Sequence, residues 1–209
     1  LGVKKQGQQL PLFFTFEGGE GCGKSTQARA LQRRLLSMGI PALVTHEPGG
    51  TPLGNDLRRW LKGEGEIDPL TELLLFNASR AHLVYQVIRP ALDGGSIVIC
   101  DRFSHSTIAY QGYGRGLDLG LIETVNNIAT QGLRPDLIVL LDIAAEQGLG
   151  RKKLRDRFEK EEIAFHQRVR QGYLGMAKKD PQRWLVIDGS LPRKEVERLI
   201  WERVEQLLP

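Results

Sequence analysis

The chain has 209 residues, 41% hydrophobic and 26% charged, with a net charge of +4 at pH 7. That length suits one α/β domain with a sizeable core, and the composition is that of a soluble globular protein rather than a repeat, heptad or low-complexity chain. The mild positive charge suits anionic substrates and is too small to argue for nucleic acid, while the two cysteines, Cys22 and Cys100, supply no disulfide framework and fit a reducing compartment.

Residues 1–11 are polar and lack an apolar h-region, so they read as a flexible tail, neither a signal peptide nor a membrane span. A single domain over 12–209, in the cytoplasm and without membrane contact, is the expectation. Residues 12–16 (LFFTF) form a short β-prone run that ends at Glu17. Then comes Gly18-Gly19-Glu20-Gly21-Cys22-Gly23-Lys24-Ser25, the G-x-x-x-x-G-K-S spacing of a phosphate-binding loop, followed by Thr26. Glycines let successive backbone N–H groups turn inward on a phosphate chain. Lys24 can reach the outer phosphates and the Ser25 hydroxyl can sit on Mg²⁺, while the helix that follows adds its positive dipole end. Strand, glycine loop and helix (27–38) occur in the order that nucleoside triphosphate binding requires. Cys22 reads as a small residue at a non-critical loop position.

Residues 41–45 read as a second buried strand, 46–52 as a Pro/Gly-rich loop and 53–61 as a short helix. A long helix is predicted from Pro69 to about Leu92, with an apolar stripe wide enough to suggest burial on more than one side. Residues 96–100 form a third strand running into Asp101-Arg102. Helical stretches at 104–110 and 117–131 precede a continuous apolar run at 136–141, typical of a central parallel strand. A charged stretch from Arg151 to Glu162 leads into a helix to about Lys179. Residues 184–187 form the last strand and 192–208 the last helix.

Five apolar strands alternating with helices predict an α/β fold, a five-stranded parallel sheet covered by helices on both faces. Ligands in such sheets sit at the carboxyl ends of the strands. Asp101 should therefore lie beside Ser25, where it can hold Mg²⁺ through water, and Arg102 can clamp an anionic acceptor. Arg151, Lys152, Lys153, Arg155 and Arg157 form a short basic lid at about 151–158, suited to closing over a transferring phosphate and excluding water. Gly21 stands where an arginine could project towards the γ-phosphate, so positive charge must come from that arm. Phe76 and Arg80, four apart on one helical face, offer a stacking surface and a bidentate donor for a base. Tyr110 and Gln111 can add a wall beside the sugar and a base-edge contact.

Several segments together resemble bacterial-type thymidylate kinase of the P-loop nucleoside monophosphate kinase family. They are F-E-G-G-E-G-C-G-K-S-T from Phe16, E-P-G-G-T from Glu47, L-F-N-A-S-R ending at Arg80, D-R-F from Asp101 and S-T-I-A-Y-Q-G from Ser106. Pro135-Asp136-Leu137 and D-R-F-E from Asp156 extend the likeness to almost everything after the tail. The resemblance implies a P-loop fold, ATP and Mg²⁺ as cofactors, conversion of dTMP to dTDP for dTTP synthesis, and a homodimer. It assigns the ATP phosphates to Lys24 and the loop amides, with Ser25 and Glu20 serving metal and loop. The dTMP phosphate falls to Arg102 and Arg58, with Asp101 nearby for Mg²⁺. Phe76 would stack on thymine and Arg80 bond its O4. Thr107 and Gln111 would lie at the polar edge of the base, and Tyr110 would fill the space of a ribose 2′-OH. Glu47 would lie near sugar and phosphate. Arg151 and Arg155 would stabilise the transferring group.

Three departures stand out. His46 replaces the arginine usual before E-P-G-G, Phe103 replaces Tyr or His after D-R, and the arm between Arg151 and Asp156 is a few residues short. Another pyrimidine nucleotide or deoxynucleoside kinase is the rival on the same scaffold, and a regulatory P-loop NTPase is the rival of a different class. The acceptor-side residues argue against the latter.

Overall fold

A computed structural model describes residues 11–151 and 156–208. Strands β1 (Phe13–Glu17), β2 (Ala42–His46), β3 (Ile97–Asp101), β4 (Leu137–Asp142) and β5 (Trp184–Asp188) form one parallel sheet in the order β2-β3-β1-β4-β5. The α/β expectation therefore holds. β1, β3 and β4 are interior and almost continuously buried, as strands covered on both faces must be. β2 is an edge strand, and Ala42, Leu43 and Val44 are only half-buried. This corrects the expectation of a second buried strand: its apolar content matches an inner strand, but one neighbour is missing.

Alternation along β1 sorts its side chains between faces. Phe14 and Phe16 pack with Ala28, Leu31 and Leu35 of α1 (Lys24–Ser37) and with Ile200 and Trp201 of α9 (Arg193–Glu205). Phe13 points the other way, into a cluster with Leu83, Val84, Ile88 and Phe103. Glu17 shares that parity and is fully buried. Its carboxylate accepts from the Phe103 amide (2.9 Å), Ser106 Oγ (2.6 Å) and Tyr173 Oη (3.0 Å).

Helices α2 (Pro52–Lys62) and α3 (Pro69–Leu83) both begin with proline behind a capping residue. Thr51 Oγ1 accepts from the Gly54 amide at 2.9 Å, and Asp68 Oδ1 accepts from Leu70 and Thr71. The predicted long helix is interrupted: α3 passes through a π-helical turn at Val84–Ile88 into α4 (Arg89–Asp93). A second π-helical stretch, Ile108–Gly114, follows α5 (Ser104–Thr107) and precedes α6 (Leu119–Thr130). Helix α7 (Ala145–Gly150) leads to the basic arm, and α8 (Ile163–Lys179) starts only after it. Residues 156–162 form turns rather than the first turns of α8. Asp156 Oδ1 accepts from the Phe158 and Glu159 amides (3.0 and 3.1 Å), a local bonding pattern that competes with helix.

Candidate active site

The loop between β1 and α1 bends through Gly18 (φ 137°), Gly21 (φ 66°) and Gly23 (φ 98°), conformations that favour glycine. A Cβ on Gly21 would lie 2.1 Å from the Gly148 carbonyl oxygen on α7, and one on Gly148 would lie 2.3 Å from the Glu20 carbonyl. Backbone touches backbone here, so this loop has no room for an arginine at 21. Lys24 is buried and its Nζ donates to the Gly18 and Gly19 carbonyls at 3.1 and 2.7 Å. Cys22 is not incidental: it is 4% exposed, packs in the core beside Phe14 and Leu141, and its thiol donates to the Gly19 carbonyl at 3.1 Å.

Parallel register puts Phe16 opposite Asp101, so the loops after β1 and β3 emerge side by side. Ser25 Oγ donates to Asp101 Oδ2 across that seam, as the sequence leads one to expect. Arg102 adopts φ 73°, unusual for a side-chain-bearing residue. Its guanidinium is held by the Gly18 carbonyl (3.1 Å), Ser106 Oγ (3.2 Å), Tyr110 Oη (3.1 Å) and the Glu20 carboxylate (2.7 Å). Glu20 also accepts from Tyr110 Oη at 2.7 Å. Burial would raise the Glu20 carboxyl, but Arg102 and Lys24 outweigh it and hold it well below the usual carboxylate range. Its observed partners are thus an arginine and a tyrosine.

On the acceptor side, Arg80 is 1% exposed and uses all five of its N–H groups within the protein. Nε and Nη2 donate to Glu47 Oε2 (2.8 and 2.6 Å), Nη1 to Asn77 and Asn126 (3.2 and 2.7 Å), and Nη2 also to the Phe103 carbonyl (3.1 Å). None of these hydrogens is left over, which alters the simple picture of a free bidentate donor. Burial pushes the Glu47 carboxyl up to about 7, against the pull of Arg80. Phe76 is half-buried and leans on Phe158, with ring centroids 5.8 Å apart. Thr107 Oγ1 is buried with no partner among the described residues. Arg58 Nη1 donates to the Pro48 carbonyl at 2.9 Å.

One cavity of about 520 Å³ unites these groups, running from Lys24, Ser25 and Asp101 past Arg102 to Phe76 and Gln111. Glu20, Gly21, Gly23, Thr26, Glu47, Arg58, Arg80, Thr107, Tyr110 and Arg151 also line it, whereas Gly18, Gly19 and Cys22 lie behind it in the loop. Arg151 Nη1 donates to the Gly21 and Gly189 carbonyls, both at 3.3 Å, beside the phosphate loop. Arg155 lies outside the described residues. Arg157, counted with the basic arm, points elsewhere: it donates to Glu72 (2.6 Å) and the Leu61 carbonyl (3.1 Å). A fully buried carboxylate captures it, which sequence proximity to the arm does not reveal. Lys62, Arg29 and Asp156 line the cavity and were missed by sequence reasoning. Lys62 had a signal, since it sits four residues after Arg58 on α2.

A family model described as thymidylate kinase matches residues 16–200. The chain is 53% identical to a thymidylate kinase of Dehalococcoides mccartyi (strain CBDB1) over 203 residues, covering 95% of this chain and 98% of that protein. It is 50% identical to one from Thermomicrobium roseum over 200 residues, 94% and 95% of the two chains. The crystal structure of thymidylate kinase from Ehrlichia chaffeensis superposes with a TM-score of 0.78 at 36% identity, covering 93% and 98%.

Proposed function

The chain belongs to the thymidylate kinase family and so phosphorylates dTMP to dTDP with ATP in dTTP synthesis, and we propose that the cavity described above carries out that transfer as follows. The observation that supports this reading is the continuity of one cavity from the phosphate loop to a half-buried phenylalanine flanked by hydrogen-bonding groups. The loop amides, Lys24 and the α1 N-terminus hold the ATP phosphates. Phe76 stacks on the thymine, Thr107 and Gln111 meet its polar edge, and Arg80 shares a hydrogen with O4. Tyr110, pinned by Glu20, walls off the sugar.

Arg102 and Arg58 hold the dTMP phosphate. Glu20 keeps the Arg102 guanidinium aimed, while the left-handed Arg102 backbone turns it towards the loop. A phosphate oxygen of dTMP is already an anion, so in-line attack on the γ-phosphate needs positioning and charge neutralisation rather than a strong base. Arg151 supplies positive charge beside Gly21, where the loop has no space for its own arginine. Arg155 completes that arm.

Ser25 and Asp101 fit Mg²⁺: a hydroxyl and a carboxylate already in contact at the loop are hard oxygen donors, few enough for an ion that retains water. The ion would neutralise phosphate charge there. The reading places the enzyme in the cytoplasm, with dTMP and ATP as partners and neither nucleic acid nor membrane. Among the described residues no helix is long and apolar enough to cross a membrane. It also makes the enzyme a homodimer, supported by the exposure of Trp60 (75%), Tyr85 (71%) and Ile128 (72%) around α3 and the helices α2 and α6 that each pack on it. Light scattering after size exclusion measures that state.

ADP release with ATP and Mg²⁺ tests the activity across dTMP, dUMP, UMP, dCMP, GMP and no acceptor. Strong stimulation by dTMP, less by dUMP and little by the rest is expected. Release independent of any acceptor would overturn the reading.

A further inference from the structure

Glu72 lies in the first turn of α3, where carboxylates are usually solvated, yet it is 0% exposed. It lines no part of the cavity, and the phosphoryl transfer has no use for it. Arg157 Nη2 donates to its Oε2 at 2.6 Å, and Arg115 approaches both oxygens at 3.4 Å. Arg115 is held from its other side by Glu161 at 2.6 Å. The remaining close partner is Gln111, whose Nε2 donates to Glu72 Oε1 at 2.6 Å. Gln111 lines the cavity and is itself 1% exposed.

A glutamine amide is ambiguous by nature, with a donor end and an acceptor end of nearly equal shape. A carboxylate paired with two guanidinium groups has only acceptor oxygens to offer. Gln111 can therefore meet Glu72 with its nitrogen alone, and its Oε1, which has no donor among the described residues, is left for the cavity. We propose that Glu72 is a positioning residue for base specificity: it locks the Gln111 amide so that a carbonyl oxygen faces the acceptor base. A carbonyl there accepts from the N3–H of thymine or uracil and meets the bare N3 lone pair of cytosine with repulsion. This rests on the thymidylate kinase reading and adds to it the device that rejects cytidylates. Sites built to pair a particular donor discriminate strongly, because the mismatched group is left buried and unpaired.

Glu72→Gln reverses the lock. The two arginines draw the new amide's oxygen, its nitrogen turns to Gln111, and Gln111 then presents N–H to the base. The kcat/KM ratio of dTMP to dCMP, read by ADP release at saturating ATP, is expected to fall about tenfold or more, with dCMP turnover rising in absolute terms. In Glu72→Gln/Gln111→Glu, the amide introduced at position 72 donates to one oxygen of the new carboxylate and the other oxygen accepts N3–H, so the dTMP preference returns. That double variant keeps one carboxylate among the same groups and carries the test if the single variant does not fold. An unchanged dTMP to dCMP ratio in folded Glu72→Gln, both acceptors falling together, would reduce Glu72 to a structural role. A folded double variant without dTMP preference would overturn the proposal as well. Failure of the parent reading is distinguishable, since the unsubstituted enzyme would then show no dTMP preference at all.

Discussion

Replacing Arg80 by methionine removes five donors from a site where the side chain is almost wholly buried. Asn77, Asn126 and the Phe103 carbonyl lose a partner, and Glu47 loses its only counter-charge within hydrogen-bond distance among the described residues. Breaking a buried ion pair by deleting one member costs about 3–5 kcal/mol. The pH dependence identifies the cause. In the unsubstituted protein burial has already raised the Glu47 carboxyl to about 7, and Glu17 pushes in the same direction while Arg80 opposes both. Without Arg80 the folded value rises further. A carboxyl whose folded value lies above its unfolded value loses stability as pH climbs through that window. Both proteins therefore weaken between the unfolded carboxylate value and pH 7. Above pH 7 the unsubstituted protein levels off with respect to this group, while Arg80→Met continues to lose about 1.4 kcal/mol per pH unit. At this chain length that widens the gap in melting temperature by about 3–6 °C per unit. Circular dichroism melts of both proteins at pH 6, 7, 8 and 9 measure it, with Arg80→Lys as a milder partner should the methionine variant be too weak at high pH. A constant gap across that range would refute the reasoning, because the loss would then owe nothing to a stranded Glu47 charge.

Gly21→Ala should destabilise by about 2–4 kcal/mol, from left-handed strain and from overlap with a backbone oxygen that has no rotamer to escape through. Urea denaturation and ATP titration read the two consequences together: a lower midpoint and a higher KM for ATP. Glu20 has a depressed carboxyl, so its contribution is present above the unfolded carboxylate value and is lost as pH falls towards the folded one. The stability gap between the unsubstituted protein and Glu20→Gln should hold steady near pH 7 and shrink below about pH 4.5; a gap independent of acid would show that the Arg102 pair is not its source. Asp101→Asn should raise the Mg²⁺ concentration for half-maximal ADP release by about tenfold or more, and an unchanged Mg²⁺ titration would remove Asp101 from the metal site. Arg157→Leu, unlike Arg151→Leu, should lower the melting temperature with little change in kcat, since its guanidinium is committed to Glu72 and Leu61.

The chain's local order sufficed for much of this protein. Strand, glycine loop and helix around residues 13–37, the apolar strand at Ile97–Asp101 and the proline opening α3 all follow from patterns within a few residues of one another. The strand-end rule then places Ser25 beside Asp101 without knowledge of the sheet order, because parallel α/β units deliver their carboxyl ends to one edge. What local order could not supply is the partner of each buried charge. Arg157 and Arg151 belong to one basic run, yet one turns to Glu72 and the other to Gly21, since only the assembled fold puts a buried carboxylate within reach of the first. Arg80 resembles a free donor in sequence, and its acceptors come from α3, the loop after β3, α6 and Glu47. The exclusion of an arginine at position 21 depends on Gly148, distant in sequence and in backbone contact. Short-range periodicity reports which face a residue occupies; a charge withdrawn from water must find its complement wherever packing puts one, and that is decided only when the helices close over the sheet.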